Sequence, residues 1–132
     1  MAESKKEFRS KEGRFAYARL ERLMHERSRL GILASLVSHP QGVVFNDLKK
    51  LVSLTDGNLS RQLQILAGAG LVEVWKGQKG SRPQTLCRLT TEGRERFREY
   101  VAELENVVSD AVAAEGERKS DATMRGRREE LA

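Results

Sequence analysis

The chain has 132 residues, 24 Lys+Arg against 19 Asp+Glu, a formal charge of +5 and a pI near 9.7. That length suits one domain, and 39% hydrophobic with 33% charged residues supports a small core under a heavily solvated surface. The single cysteine, Cys87, excludes an internal disulfide framework and any cysteine-rich zinc or iron–sulfur site.

The longest mostly apolar run, 30–37, is too short to cross a bilayer. The first twenty residues carry scattered charges and no apolar stretch of the secretory kind. The expectation is a soluble protein of the reducing cytoplasm with no membrane partner. Charge is spread unevenly. Residues 1–30 hold nine bases and five acids, 61–90 hold five bases and one acid, and 91–132 hold eight bases and eleven acids. A basic central block is drawn to phosphate by counterion release, whereas an acidic terminal helix is not.

Residues 1–14 read as a mobile basic arm. Phe15, Ala18, Leu20, Leu23 and Met24 begin a helical spacing, continued by Leu30, Ile32, Leu33, Leu36 and Val37. Pro40 and Gly42 stop it, and Val43-Val44 is a short extended stretch. Leu48, Leu51 and Val52 predict a short second helix with Asn46 as its N-cap. After the turn at Ser53-Leu54, Thr55 caps a third helix over 55–67, with Asp56 in the first turn where a carboxylate suits the helix dipole. Gly68 and Gly70 end it.

Two short strands follow, over 71–75 and 84–89, joined by a long basic loop at 76–83. Thr90 or Thr91 then caps a terminal helix. In it Phe97, Tyr100, Val101, Leu104, Val107, Val108, Ala111 and Val112 step by three and four. Beyond Ala114 almost nothing is available to bury, so 115–132 reads as a disordered tail. The domain proper is 15–114, including a dimerisation helix at 94–114. The predicted fold class is mainly α with a small β-hairpin wing: a winged helix-turn-helix with N- and C-terminal dimerisation helices.

The third helix carries the functional signal. On a helical wheel that starts at Leu59, Leu63 lies at about 40° and Leu66 at about 340°, so the leucines share one side. Gly57, Asn58, Arg61 and Gln64 fall between about 140° and about 260°, with Ser60 at the edge. Two amides, a guanidinium and a hydroxyl, with no carboxylate beyond Asp56, are groups that read base edges or hold phosphates. Thr55, Asn58, Ser60, Arg61 and Gln64 are therefore the candidate recognition-helix contacts. Asn58 and Arg61 are expected to read bases, and Ser60 to hold phosphate. Lys76, Lys79 and Arg82 are the candidate wing contacts, because Glu73 is the only acid near them. The apolar stripe of the terminal helix outruns what so small a domain can bury. It predicts a homodimer through Phe97, Tyr100, Val101, Leu104 and Val108, facing half-sites about one helical turn apart.

From about Leu20 to Tyr100 the chain resembles the winged-helix transcriptional regulators of the MarR/ArsR type, closest to their small single-domain group. The resemblance rests on Arg29-Leu30-Gly31-Ile32-Leu33, Phe45-Asn46-Asp47-Leu48 and Leu54-Thr55-Asp56-Gly57-Asn58-Leu59-Ser60-Arg61. It continues through Gly80-Ser81-Arg82-Pro83 and Arg88-Leu89-Thr90-Thr91-Glu92-Gly93. It implies a dimeric prokaryotic DNA-binding regulator. Two positions depart from that group: Gln62 stands where relatives often carry His, and Cys87 where they carry an aromatic. The first bears on phosphate contacts or operator preference. The second loosens wing packing or leaves a thiol for sensing.

Other chemistry finds little footing. His25, His39 and Cys87 lie on three separate elements, too few and too scattered for a metal site. No nucleophile elbow, phosphate loop or paired-carboxylate motif frames the Ser, His and Asp residues, so no enzyme and no cofactor is expected. The expected function is a transcriptional regulator that binds double-stranded DNA in a sequence-specific manner. It acts as a homodimer on a pseudo-palindromic operator and answers to an unidentified small-molecule effector, expected in a crevice between the terminal helices and the DNA-binding core. The alternatives are a winged-helix protein-interaction module and an RNA-binding winged helix. Aromatic residues make up only 5% of the chain, which weighs against single-strand stacking.

Overall fold

A computed structural model describes residues 13–131, with side chains described through 124. The expected arm at 1–14 lies almost wholly outside the described residues. The chain divides into two compact units: Leu20–Tyr100, and the segments up to Arg19 and from Val101 onward. The boundary between the units falls inside the terminal helix expected over 94–114.

In the first unit the elements run α1 (Arg27–Val37), β1 (Val43–Val44), α2 (Phe45–Val52), α3 (Asp56–Gly68), β2 (Val72–Lys79) and β3 (Arg82–Leu89). Helix α4 (Thr91–Leu131) follows. Ile32, Leu33 and Leu36 of α1, Leu48 of α2 and Leu59, Leu63 and Leu66 of α3 are buried, and with Leu71, Val72, Cys87 and Leu89 they form the core. Burial of each such side chain stabilises by about 1.5–3 kcal/mol relative to exposure. This is a mainly helical fold with a small antiparallel sheet, the winged helix-turn-helix architecture that the element order predicts.

The first helix is shorter than its apolar spacing predicts. Residues 13–26 form turns and bends, and no described helix precedes Arg27, so the expected N-terminal helix is absent from that stretch. Extended backbone at Glu26 breaks the run, and its carboxylate accepts from Ser28 N–H (3.1 Å) and Arg29 N–H (2.9 Å) as the N-cap. Those two backbone donors hold the Glu26 carboxyl below its ordinary value. Helix α2 begins one residue before its predicted cap. Asn46 lies inside its first turn, and Val44 stands at the cap with no side-chain bond. The cause is the sheet: pairing of Val43 with Cys87 and Val44 with Leu86 keeps the chain extended up to the residue where the helix starts.

Helix α3 follows the prediction closely. Thr55 Oγ1 accepts from Asn58 N–H at 3.2 Å. At the other end Gly70 adopts φ +78, Gly70 N–H donates to Ala67 O (3.0 Å) and Leu71 N–H to Leu66 O (3.0 Å). That pair of bonds with a left-handed glycine is the Schellman stop. The hairpin is tighter than the loop expected at 76–83. The strands pair without interruption from Val72↔Leu89 to Lys79↔Arg82, leaving only Gly80 and Ser81 as the turn. Gly80 at φ +65 supplies the left-handed first position of a type II′ hairpin turn.

Thr90 caps α4, its Oγ1 accepting from Gly93 N–H (2.8 Å) and donating to Gly70 O (2.6 Å). Gly93 packs so closely on the Leu71 carbonyl that a Cβ there would collide with it. The helix then continues to Leu131, through the 115–131 stretch expected to be disordered. Glu, Arg, Lys and Ala are good helix formers, and Glu115 and Lys119 stand at a favourable i,i+4 spacing.

In the second unit, Tyr17 OH donates to Asp110 Oδ2 at 2.7 Å. Glu103 is buried, and its carboxylate accepts from Asn106 Nδ2 (3.0 Å) and Arg19 N–H (3.4 Å). Burying a carboxylate is tolerable only with such donors.

Candidate nucleic-acid interface

The tight turn at Ser53-Leu54-Thr55 presents α3. Ser53 sits in the left-handed region at φ 53, and Leu54 N–H closes the turn on Lys49 O at 3.2 Å. Lys49 Nζ also pairs with the Asp56 carboxylate at 2.8 Å, linking α2 to the first turn of α3. With Leu59, Leu63 and Leu66 buried, helical geometry turns the opposite side outward. Thr55, Asn58, Ser60, Arg61 and Gln64 are all exposed. All five recognition-helix candidates reach solvent: Asn58, Arg61 and Gln64 share the outward side, Ser60 lies at its edge, and Thr55 stands at the N-cap. Thr55 Oγ1 is already engaged as the cap acceptor, but its hydroxyl proton stays available for donation.

The wing candidates are also exposed, but they do not converge. Lys79 and Arg82 face each other as a cross-strand pair, and side chains alternate along a strand, so Lys76 points to the other face of the hairpin. Lys79 and Arg82 line a shallow cavity of about 340 Å³ together with Asn46, Gln84 and Thr85. Arg88 lies over the Trp75 ring at 4.3 Å from its centroid and pairs with Glu73 at 3.3 Å, which removes it from the free cations of the wing.

Several features escape a sequence reading. Ile65, 37% exposed, lies at about 240° on the wheel, within the outward face of α3. Its place on the wheel follows from the spacing alone, but an apolar side chain there carries no polar signal. An apolar group there suits the thymine methyl in a major groove. Gln62 is half-buried and accepts from Arg29 Nη1 at 3.0 Å. No periodicity reveals a contact between residues so distant in sequence.

The dimerisation candidates separate. Phe97 and Tyr100 are buried in their own unit, where their rings stack at 6.0 Å, so they are not available to a second chain. Tyr100 OH also lies 2.6 Å from His25 Nδ1, and burial pushes the Tyr100 phenol above its ordinary value. Val101 and Leu104 are half-buried, and Val108 is 57% exposed. Cys87 is fully buried, and burial pushes its thiol up to about 11. A protonated, covered thiol is a packing residue and a poor redox sensor. Among the described residues no group of three or more His, Cys, Asp or Glu could hold a metal ion, and no helix is long and apolar enough to cross a membrane.

A helix-turn-helix with an exposed amide-and-guanidinium face, followed by a basic hairpin, defines a winged helix-turn-helix domain. The chain belongs to the winged helix DNA-binding domain family, whose pattern it matches over residues 28–108. An uncharacterised protein of Methanocaldococcus jannaschii is 40% identical over 60 residues, covering 46% of this chain and 65% of that protein, so the match spans just under two thirds of the relative. A solved transcriptional regulator homologue from Pyrococcus horikoshii OT3 is 28% identical, covers 67% of this chain and 87% of its own, and superposes with a TM-score of 0.63. The crystal structure of MarR, at 22% identity, 96% and 90% coverage and a TM-score of 0.62, shares the fold.

Proposed function

We propose that the protein binds double-stranded DNA with sequence preference, as a homodimer on a pseudo-palindromic operator. One observation carries the reading. The residues of α3 that can read base edges all face solvent, while the leucines between them are buried. Arg61 and Asn58 contact bases in the major groove, and Ile65 supports them against a thymine methyl. Ser60, Lys79 and Arg82 hold the phosphate backbone.

The dimer rests on α4. Val108 and Val112, four residues apart, are 57% and 66% exposed and continue a line from Val101 and Leu104. A helix with an uncovered apolar line is stabilised by pairing with its twin about a two-fold axis.

Fluorescence anisotropy of labelled genomic duplexes at two salt concentrations tests the DNA reading. A protein neutralising several phosphates loses roughly 10³-fold or more in affinity between 50 and 200 mM salt. Binding insensitive to salt, or displaced by duplex RNA more readily than by duplex DNA, would contradict it. Sedimentation equilibrium of Val108→Glu tests the dimer: the expected species is a monomer, and an unchanged mass would contradict the pairing through α4.

A further inference from the structure

The outward amide of Asn58 is held in one orientation by a chain of hydrogen bonds. Arg29 Nη1 donates to Gln62 Oε1 at 3.0 Å, and Gln62 Nε2 donates to Asn58 Oδ1 at 3.4 Å. Arg29 is itself anchored, its Nε donating to the Leu23 carbonyl at 2.6 Å and its Nη1 lying 3.9 Å from the Glu26 carboxylate. A guanidinium has donors and no acceptor. The Gln62 oxygen must therefore face Arg29, and the Gln62 nitrogen must face Asn58. The Asn58 oxygen in turn faces Gln62, which leaves its two Nδ2 hydrogens for an outside partner.

We propose that Gln62, set by Arg29, is a positioning residue that makes Asn58 read a base edge as a hydrogen-bond donor. The proposal rests on the DNA-reading function above and names one element of its sequence preference. An asparagine fork on adenine needs its oxygen to accept from N6 while its nitrogen donates to N7. Here the oxygen is turned toward Gln62. Guanine offers acceptors at both N7 and O6, so the base under Asn58 is guanine.

The test is selection of bound duplexes from a randomised pool by the full chain and by Asn58→Ala, Gln62→Glu and Gln62→Leu. Gln62→Glu is isosteric. It keeps an acceptor for Arg29 and removes the donor, so the Asn58 amide turns over and offers its oxygen outward. The unsubstituted protein should favour guanine about tenfold at one base pair, and Asn58→Ala should flatten that preference. Gln62→Glu should reverse it toward a base that donates, cytosine through N4 or adenine through N6. Gln62→Leu should admit adenine there. The pair read by Arg61 should not change in either Gln62 variant. Retention of guanine by both Gln62 variants would overturn the proposal. So would adenine at the Asn58-dependent pair of the unsubstituted protein, or a uniform loss on all sequences in Asn58→Ala. Absence of preference at every base pair would instead overturn the DNA reading itself, and this proposal with it.

Discussion

Helix α3 and the distal stretch of α4 both present polar side chains to solvent, yet they do so differently. In α3 three leucines are buried and the remaining face carries Asn58, Ser60, Arg61 and Gln64. From Glu115 to Met124 every residue of α4 is exposed, and the charges there are mixed Glu, Asp, Arg and Lys. Solubility alone accounts for the second pattern, since interspersed ions solvate a helix. It does not account for the first, where a helix exposes amides, a hydroxyl and one guanidinium on the side opposite its core. Selective exposure of hydrogen-bonding groups is the mark of a surface that meets something.

The comparison breaks most readily in the core. Leu59→Ala removes a fully buried side chain of α3 and should cost about 2–5 kcal/mol in denaturant unfolding. Val112→Ala, at an exposed site, should shift the unfolding of a monomeric background by less than about 0.5 kcal/mol. Equal losses would erase the distinction between the two helices.

Next in size is the reading face. Arg61→Ala should lose about 1–3 kcal/mol of discrimination between the preferred and a scrambled duplex while keeping much of its general affinity. Equal losses on both duplexes would make Arg61 a phosphate contact. Thr55→Ala removes the cap that fixes the first turn of α3 and should destabilise by about 1 kcal/mol, read as a lower denaturation midpoint. An unchanged midpoint would mean that water replaces the hydroxyl at no cost.

Alkaline pH probes the core beneath the hairpin. Burial raises the Cys87 thiol from 9.0 to about 11, so the folded state favours the protonated form. The stability this contributes is complete below pH 9 and is lost as pH rises toward 11. Alkylation of the native chain by iodoacetamide at pH 8 should be far slower than that of the denatured chain. Comparable rates would contradict the burial. The smallest expected effect is Lys79→Ala, which should weaken all duplexes alike and flatten the salt slope by about one unit.

Sequence and structure agree most closely on α3. Thr55, the leucine spacing and the Gly68/Gly70 stop each act within one or two helical turns, and local chemistry of that kind is written in consecutive residues. Disagreement begins where a distant partner decides. Asn46 loses its capping position because β1 pairs with β3, on the far side of two helices and a strand in chain order. The apolar spacing from Phe15 to Met24 counts side chains worth burying but does not reveal the extended backbone at Glu26 that interrupts it. Lys79 and Arg82 look like loop residues until the ladder closes between them. The helix at 115–131 escapes for the opposite reason. Its residues favour helix individually, but with few apolar residues among them they carry no periodic signal.

The outward orientation of the polar side of α3 is the claim on which the rest depends. The most direct measurement is nuclear magnetic resonance of the labelled protein titrated with its preferred duplex, following backbone and side-chain amides. The account predicts the largest shifts at Asn58, Ser60, Arg61 and Gln64, with smaller ones at Lys79 and Arg82. Saturable binding that leaves these signals in place and perturbs another surface would contradict it.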